Sequence, residues 1–408
     1  MNILLLAPEP FYEDRGTPIA VNLLLRVLAE RGARVDLVAY HIGRGVAHEN
    51  LTIHRIPNIP FIRRIPPGLS WQKLVCDVFM TMKVIGLAAR RRYDVIHCVE
   101  ESVFMGMCLK TLFGYRYVYD MDSSMAQQIV EKYPWLGWLG GFLGWFERAA
   151  VRGSEAVVPV CESLATLAAG YRPRKIVLLR DVSLLSLGAG AGGEPAGVPG
   201  GIEGPIVMYV GNLEHYQGID LLVESFALAA RRAGRGSLVI IGGTEPDIGK
   251  YRARCEELGI GGRVHFLGPR PVERLGACLA QADILASPRL KGKNTPMKIY
   301  SYLHSGKAVL ATDVVSHREV LGGGVAALAA PSVEEFGREL AVLMSDELLR
   351  RRLGVAGKSL AEAKYSYESF KREVNTLYDW LETGTRRVAG SGDGGREGEA
   401  KAGAGWSR

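Results

Sequence analysis

The chain has 408 residues, of which 48% are hydrophobic and 23% charged, and a formal charge of +7. That is enough for two globular domains, and the composition excludes disordered and collagen-like classes. Six scattered cysteines without CxxC pairs exclude a disulfide framework and a zinc site, and fit reduced thiols in the cytoplasm. No apolar run reaches the length of a membrane span, and no aromatic-and-basic motif of an RNA binder is present, so nucleic acid is not an expected partner.

In chain order, MNILLLAPEP lacks a basic leader region and reads as a first strand, and Gly16, Thr17 and Pro18 open a helix near 18–31. RVDLVAY is the next strand, followed by a helix near 70–90, the strand DVIHCV, a helix near 102–113 and the strand YRYVYDM. A helix near 137–151 and the strand EAVVPVC complete a strand–helix alternation that predicts a parallel doubly wound sheet. His97 lies inside a strand and is expected in the core, whereas Glu100 and Glu101 lie at the strand's outer end. Asp120 and Asp122 alternate and should project to one side of an extended chain. The segment 188–204, GAGAGGEPAGVPGGIEG, reads as a flexible linker between a first domain, 1–187, and a second, 205–363. There the alternation restarts with PIVMYVGNL, a helix from Gly218, SLVIIGG, a helix near 248–258, RVHFLG and a helix near 271–280. Gly211 ends a buried strand and Gly218 precedes a helix, a turn that lets backbone approach a phosphate. The face formed by Tyr367, Phe370, Val374, Leu377, Tyr378 and Leu381 predicts a docked helix over 364–382, and the apolar-poor 383–408 reads as a disordered tail.

The most informative stretch is Ser287–Asp313, SPRLKGKNTPMKIYSYLHSGKAVLATD. It combines a strand end, a basic loop, a helix opened by Pro296 and stopped by Gly306, and a new strand. Main-chain amides around Asn294, Thr295 and Pro296 are predicted to face an anion, with Arg289, Lys291, Lys293 and Lys298 around them. This segment resembles the donor-binding segment of retaining GT-B glycosyltransferases of family 4, in the branch reading Asn-Thr-Pro and Lys-Ile-Tyr-Ser-Tyr-Leu at this spacing, and the resemblance extends over about residues 1–380. It implies two Rossmann-like α/β domains facing each other across a cleft, a terminal helix crossing back to the first domain, and a retaining hexosyltransferase that uses a nucleotide-diphosphate sugar and requires neither cofactor nor metal. Carried over onto this chain, it places Gly16 and Thr17 near the donor phosphates. It puts Gly211, Asn212, Gln217 and Gly218 in the turn over the donor, and Arg289, Lys293, Asn294, Thr295, Pro296 and Lys298 around the diphosphate. Asp120 or Asp122 would orient the sugar or take the acceptor proton.

The chain departs from the family at four positions. Asn212 and Gln217 stand where many relatives carry Arg and Lys, and the family's two glutamates fall on Lys293 and Ser301. Ser301 is then the expected ribose contact, with Glu319 as a substitute, and a catalytically weak binding subunit is the alternative function. Residues 61–92 hold seven cations against one acid around Trp71, Leu74, Val75, Val78, Phe79 and Met82, and Trp135, Trp138, Phe142 and Trp145 form a second stripe. These patterns predict peripheral contact with an anionic membrane at its cytoplasmic face and a glycan or lipid-linked acceptor.

Overall fold

The computed structural model describes the chain except residues 14–15, 67–69, 133–137, 139, 188–197, 199–201, 203, 292–294, 323 and 391–408, and except the side chains of 128, 130–132 and 385–390. Most of the expected linker, and the tail from residue 391, therefore lie outside the described residues.

The first half runs β1 (Asn2–Ala7), α1 (Gly16–Glu30), β2 (Arg34–Ala39), β3 (Leu51–Arg55), α2 (Trp71–Arg90), β4 (Val95–Val99), α3 (Val103–Phe113), β5 (Tyr117–Met121), α4 (Met125–Lys132), α5 (Gly140–Gly153), β6 (Ala156–Pro159) and α6 (Glu162–Gly170). Its six strands are all parallel, in the order β3-β2-β1-β4-β5-β6. Side chains alternate across the sheet, so Ile3 and Leu5 enter one core while Leu4 and Leu6 enter the other. The first of these cores is roofed by α1, and the second by α2, α3, α5 and α6.

The second half runs β7 (Ile206–Val210), α7 (Ile219–Ala233), β8 (Ser237–Ile241), α8 (Glu245–Glu257), β9 (Val264–Gly268), α9 (Leu275–Ala280), β10 (Ile284–Ser287), α10 (Lys298–His304), β11 (Ala308–Thr312), α11 (Val315–Arg318), β12 (Ala327–Ala329), α12 (Val333–Ser345) and α13 (Glu347–Lys364). Its sheet, also parallel, has the order β12-β11-β10-β7-β8-β9. The strand order reverses between β1 and β4 in the first sheet and between β7 and β10 in the second. Open α/β sheets bind ligands at such reversals, beyond the strands' carboxyl ends.

The last helix, α14 (Tyr367–Gly390), continues through residues that the sequence reading assigned to the tail. Its Phe370, Val374, Leu377, Tyr378 and Leu381 are buried in the core of the first domain, beside α1. Arg31 fastens it by donating to Asn375, Asp379 and Glu382, and Tyr367 donates to Glu30. Strands β3 and β12 and helices α4, α6, α12 and α13 were not named from the sequence; for β3, β12, α4 and α6 the reason is that a half-buried or three-residue strand and a helix of about two turns carry too few apolar repeats to register.

Gly218 shows where the fold constrains the site. Its φ is +74°, and a Cβ there would lie 2.0 Å from the carbonyl oxygen of Pro288, the residue before Arg289. Gly218→Ala therefore combines a left-handed backbone with a main-chain clash, and is expected to destabilise the second domain by about 2–4 kcal/mol in urea unfolding. Gly262→Ala, where an added Cβ meets nothing within 4 Å, should leave the midpoint in place.

Candidate functional site

On the second sheet, β7 ends in Gly211 (φ +150°), and β10 ends at Ser287 before Pro288 and Arg289. The Gly211 turn packs against Lys298, the first residue of α10: a Cβ on Gly211 would lie 2.7 Å from the lysine Nζ. Lys298 sits over the Tyr209 ring, 4.0 Å from its centroid, and donates to Gln217 Oε1 at 3.3 Å. Arg289 lies over Tyr216, 5.6 Å from the ring centroid, with its Nε held by the Lys291 carbonyl. Aromatic faces hold both cations without neutralising them. Burial, and then the neighbouring Arg289, push the Lys298 ammonium down to about 7. Burial also lowers Arg289. Two neighbouring, half-buried cations will bind an anion more strongly than the same charges on an open surface.

The structure thus brings together Gly211, Gln217, Gly218, Arg289 and Lys298 of the expected donor set. Asn212 is exposed, and its carbonyl accepts from the Tyr209 hydroxyl at 2.6 Å. Thr295 and Pro296 are buried, and the Thr295 hydroxyl donates to the Ser316 carbonyl at 2.8 Å. Lys293 and Asn294 lie outside the described residues.

Ser301 is a correction to the sequence reading. It is fully buried, and its hydroxyl accepts the Leu184 N–H at 3.1 Å, so it holds the end of the first domain's chain rather than facing a ribose. The reason is packing: Ser301 lies in a run of α10, Ile299 to Leu303, that is buried at every position, so its hydroxyl meets protein rather than the cleft. Glu319 accepts the Ser163 N–H of α6 at 3.0 Å, and so also joins the two domains.

On the first sheet, Gly16 and Thr17 follow β1 and Glu100 follows β4. They meet Thr295 and Tyr300 of the second domain around a cavity of about 180 Å³, which Asp122 and Asp181 also line. A Cβ on Gly16 would touch Met297 Sδ at 3.9 Å, so the two halves of the site are in van der Waals contact. Asp120 and Asp122 have separate surroundings. Asp120 Oδ2 lies 3.2 Å from His97 Nε2, and His97, fully buried, has the Tyr378 hydroxyl of α14 at 2.9 Å from its other nitrogen. Asp122 lines the cavity. Burial, then Asp120, Glu100, Asp181 and Glu9, hold its carboxyl well above the usual range. Burial and then Asp120 push Asp181 up to about 7, and burial and then Glu101 raise Glu100. Glu100 has a φ of +48°, a conformation that costs a non-glycine residue about 1–3 kcal/mol and that recurs at functional sites. Among the described residues no group of three His, Cys, Asp or Glu is placed to hold a metal ion.

Tyr209, Tyr216 and Asp181 were not singled out from the sequence. Asp181 is 59 residues beyond Asp122, and only the fold puts them on one cavity. The tyrosines carried a weak signal, since each lies within two residues of a glycine or glutamine already assigned to the turn.

Residues 15–180 match the family model described as a glycosyl transferase 4-like domain, and residues 201–360 the model described as glycosyl transferases group 1. A D-inositol 3-phosphate glycosyltransferase of Corynebacterium glutamicum is 30% identical over 183 residues, 43% of this chain and 43% of that protein, so the match spans less than half of the relative's length. Among solved structures, sucrose-phosphate synthase from Thermosynechococcus elongatus superposes with a TM-score of 0.75 at 19% identity, covering 94% of this chain and 99% of that one. Anabaena HepE, solved in complex with UDP, superposes at 0.68 with 15% identity, covering 93% and 100%. Two domain models that together span most of the chain, on two facing parallel sheets, place this protein in the group 1, family 4-like glycosyltransferases of GT-B fold.

Proposed function

We propose that the protein transfers a hexose from a nucleotide-diphosphate sugar to a glycan or lipid-linked acceptor, with retention of configuration and without a metal. The observation that carries this reading is the pair Lys298 and Arg289 beside the Gly211 turn at the carboxyl end of the second sheet, with the cavity lined by Asp122 and Glu100 reaching the same segment at Thr295 and Tyr300. A departing diphosphate gains negative charge as the glycosidic bond breaks, and fixed cations stabilise that charge without reorganisation. The carboxylates across the cavity suit hydrogen bonds to sugar hydroxyls. With the diphosphate on the same face as the incoming acceptor, its oxygen can take the acceptor proton, so little side-chain chemistry is needed. HepE was solved with UDP, which supports a nucleoside diphosphate as the ligand class.

Membrane contact is part of the reading. Trp71, Leu74, Val78 and Met82 form one exposed stripe on α2, with exposures of 55–60%. Cys76, Met80, Val84 and Ala88 form the opposite, buried stripe. A two-residue offset turns a helix by about 200°, which is why α2 is apolar on both sides. Val75 and Phe79, which the sequence reading put on the exposed face, pack against the core. Trp138, Phe142 and Trp145 are also exposed, while Trp135 lies outside the described residues. Arg63, Arg64, Arg90 and Arg92 are exposed around the α2 stripe, a composition that suits an anionic headgroup layer. No helix among the described residues is long and apolar enough to cross a membrane.

A second reading, a binding subunit without turnover, is favoured by one observation: the Ser301 hydroxyl is committed to Leu184. A thermal-shift screen of UDP, GDP and ADP, followed by transfer assays with the corresponding sugar nucleotides, separates the readings. Stabilisation by one diphosphate with turnover supports the transferase. Stabilisation without turnover supports the binding subunit, and no stabilisation by any of the three removes both.

A further inference from the structure

A second cavity, of about 600 Å³, opens on the first domain and is lined by Glu13, Ile42, Arg63, Arg64, Pro66 and Gln72. Its volume is that of a small-molecule site. The loop that builds it is pinned rather than loose. Ile59, Ile62 and Ile65 are buried in the core beneath α2, the Ile62 N–H donates to the Ile59 carbonyl, and the Ile62 carbonyl lies 2.9 Å from His41 Nε2. With Ile62 and Ile65 plugged inward, the two arginines between them are forced outward side by side. Both are exposed, and neither guanidinium has an ion-pair or hydrogen-bond partner among the described residues. Adjacent unpaired guanidiniums repel each other, and their planar donor forks match phosphate oxygens.

An exposed apolar track lies next to the cavity residues along the chain. Gln72 on its wall is the neighbour of Trp71, whose ring stacks on Phe61 at 6.4 Å and 11°. Phe61 is 69% exposed, and Leu74 and Val78 carry the track along α2. Glu13, which also lines the cavity, lies three residues before Gly16 of the interdomain cavity. One ligand chemistry fits a phosphate seat with a hydrocarbon track on one side and the reacting centre on the other. Building on the transferase reading, we infer that the cavity between Arg63, Arg64 and Gln72 seats the phosphate of a lipid acceptor whose hydrocarbon lies along Phe61, Trp71 and Leu74. The sugar-accepting head of that lipid then points past Glu13 toward Gly16 and Asp122.

The test uses the full chain, calorimetry with monomeric dihexanoyl phosphatidic acid and with inorganic phosphate, and flotation with phosphatidylcholine vesicles with and without phosphatidic acid. The unmodified protein is expected to bind the short-chain phosphatidate and to float with the acidic vesicles alone. Arg63→Gln/Arg64→Gln should weaken phosphatidate binding by at least about tenfold. Arg232→Gln/Arg235→Gln, which removes the same charge from an exposed part of the second domain, should change it less than about twofold. The Arg63/Arg64 variant must keep its thermal shift with the nucleoside diphosphate, which shows that it is folded and separates this result from a failure of the donor site. Equal losses in both double variants would reduce the effect to net charge and overturn the inference. So would inorganic phosphate binding as tightly as phosphatidate, which would mark a free-anion site, or unchanged binding in Arg63→Gln/Arg64→Gln.

Discussion

Replacing Lys298 by alanine is expected to weaken nucleoside diphosphate binding at least about a hundredfold, the loss typical of removing one member of a desolvated charge pair. The lysine is held over Tyr209, within reach of Gln217, and beside a glycine with no room for a Cβ, so no nearby cation can take its place without displacing backbone. Its pH dependence gives the sharper test. With the ammonium pushed down to about 7 in the empty site, much of the lysine is neutral at neutral pH, and an arriving diphosphate restores the charged form. Affinity should fall about tenfold per unit above pH 7, where the diphosphate is fully ionised, until the pKa of the bound state is reached. Calorimetry in two buffers of different ionisation enthalpy should register net proton uptake above pH 7. Lys298→Arg keeps its charge throughout and should lose both the uptake and the pH slope. Unchanged affinity in Lys298→Ala would remove the assignment of the diphosphate to this site.

Asp122→Asn is expected to lower the transfer rate by about 10²–10⁴-fold, within the range for loss of a positioned proton-transfer or sugar-orienting group, while nucleotide binding stays within a few-fold. The carboxyl is crowded by Asp120, Glu100, Asp181 and Glu9, so its removal relieves repulsion. The variant should therefore unfold at the same temperature as the parent or a higher one, a pattern that a merely structural residue would not give. The pH–rate profile carries the sign. A group that must be ionised, and whose pKa is raised, makes the rate fall as pH drops through that raised value, above the ordinary carboxylate range. Glu100→Gln removes one of the like charges and should move this acid limb to lower pH. An acid limb that stays in place in Glu100→Gln would show that Asp122 is not the group being titrated.

Asp120 and Asp122 show the limit of a one-dimensional reading. Alternation along an extended chain suggested a matched pair, but β5 ends at Met121, and the backbone turns before Asp122. Asp120 is left against His97, inside a hydrogen-bonded chain that reaches Tyr378 on α14, while Asp122 enters the cavity. His97 itself, expected in the core because it lies within a strand, is there with both ring nitrogens engaged. Ser301 and Glu319 were both considered as ribose contacts, and both instead join one domain to the other. No spacing rule distinguishes a hydroxyl that faces a ligand from one that faces a partner domain, because the phase of α10 relative to residue 184 depends on how the two sheets dock.

The sequence alone determined the two sheets, because buried parallel strands are continuous apolar runs and the helices between them carry their own period and stops. It also marked Gly211, Gly218, Arg289 and Lys298 as the proposed anion site, which the structure brings together, because glycines at strand ends and cations beside a helix start are local chemistry. Only the tertiary structure decided which carboxylates share a cavity, that Lys298 is half-buried against Tyr209, and that Arg63 and Arg64 stand together with no ion pair to either among the described residues. Burial, electrostatic coupling and cavity shape arise between residues far apart in the chain, and the docking of one sheet on the other fixes those distances.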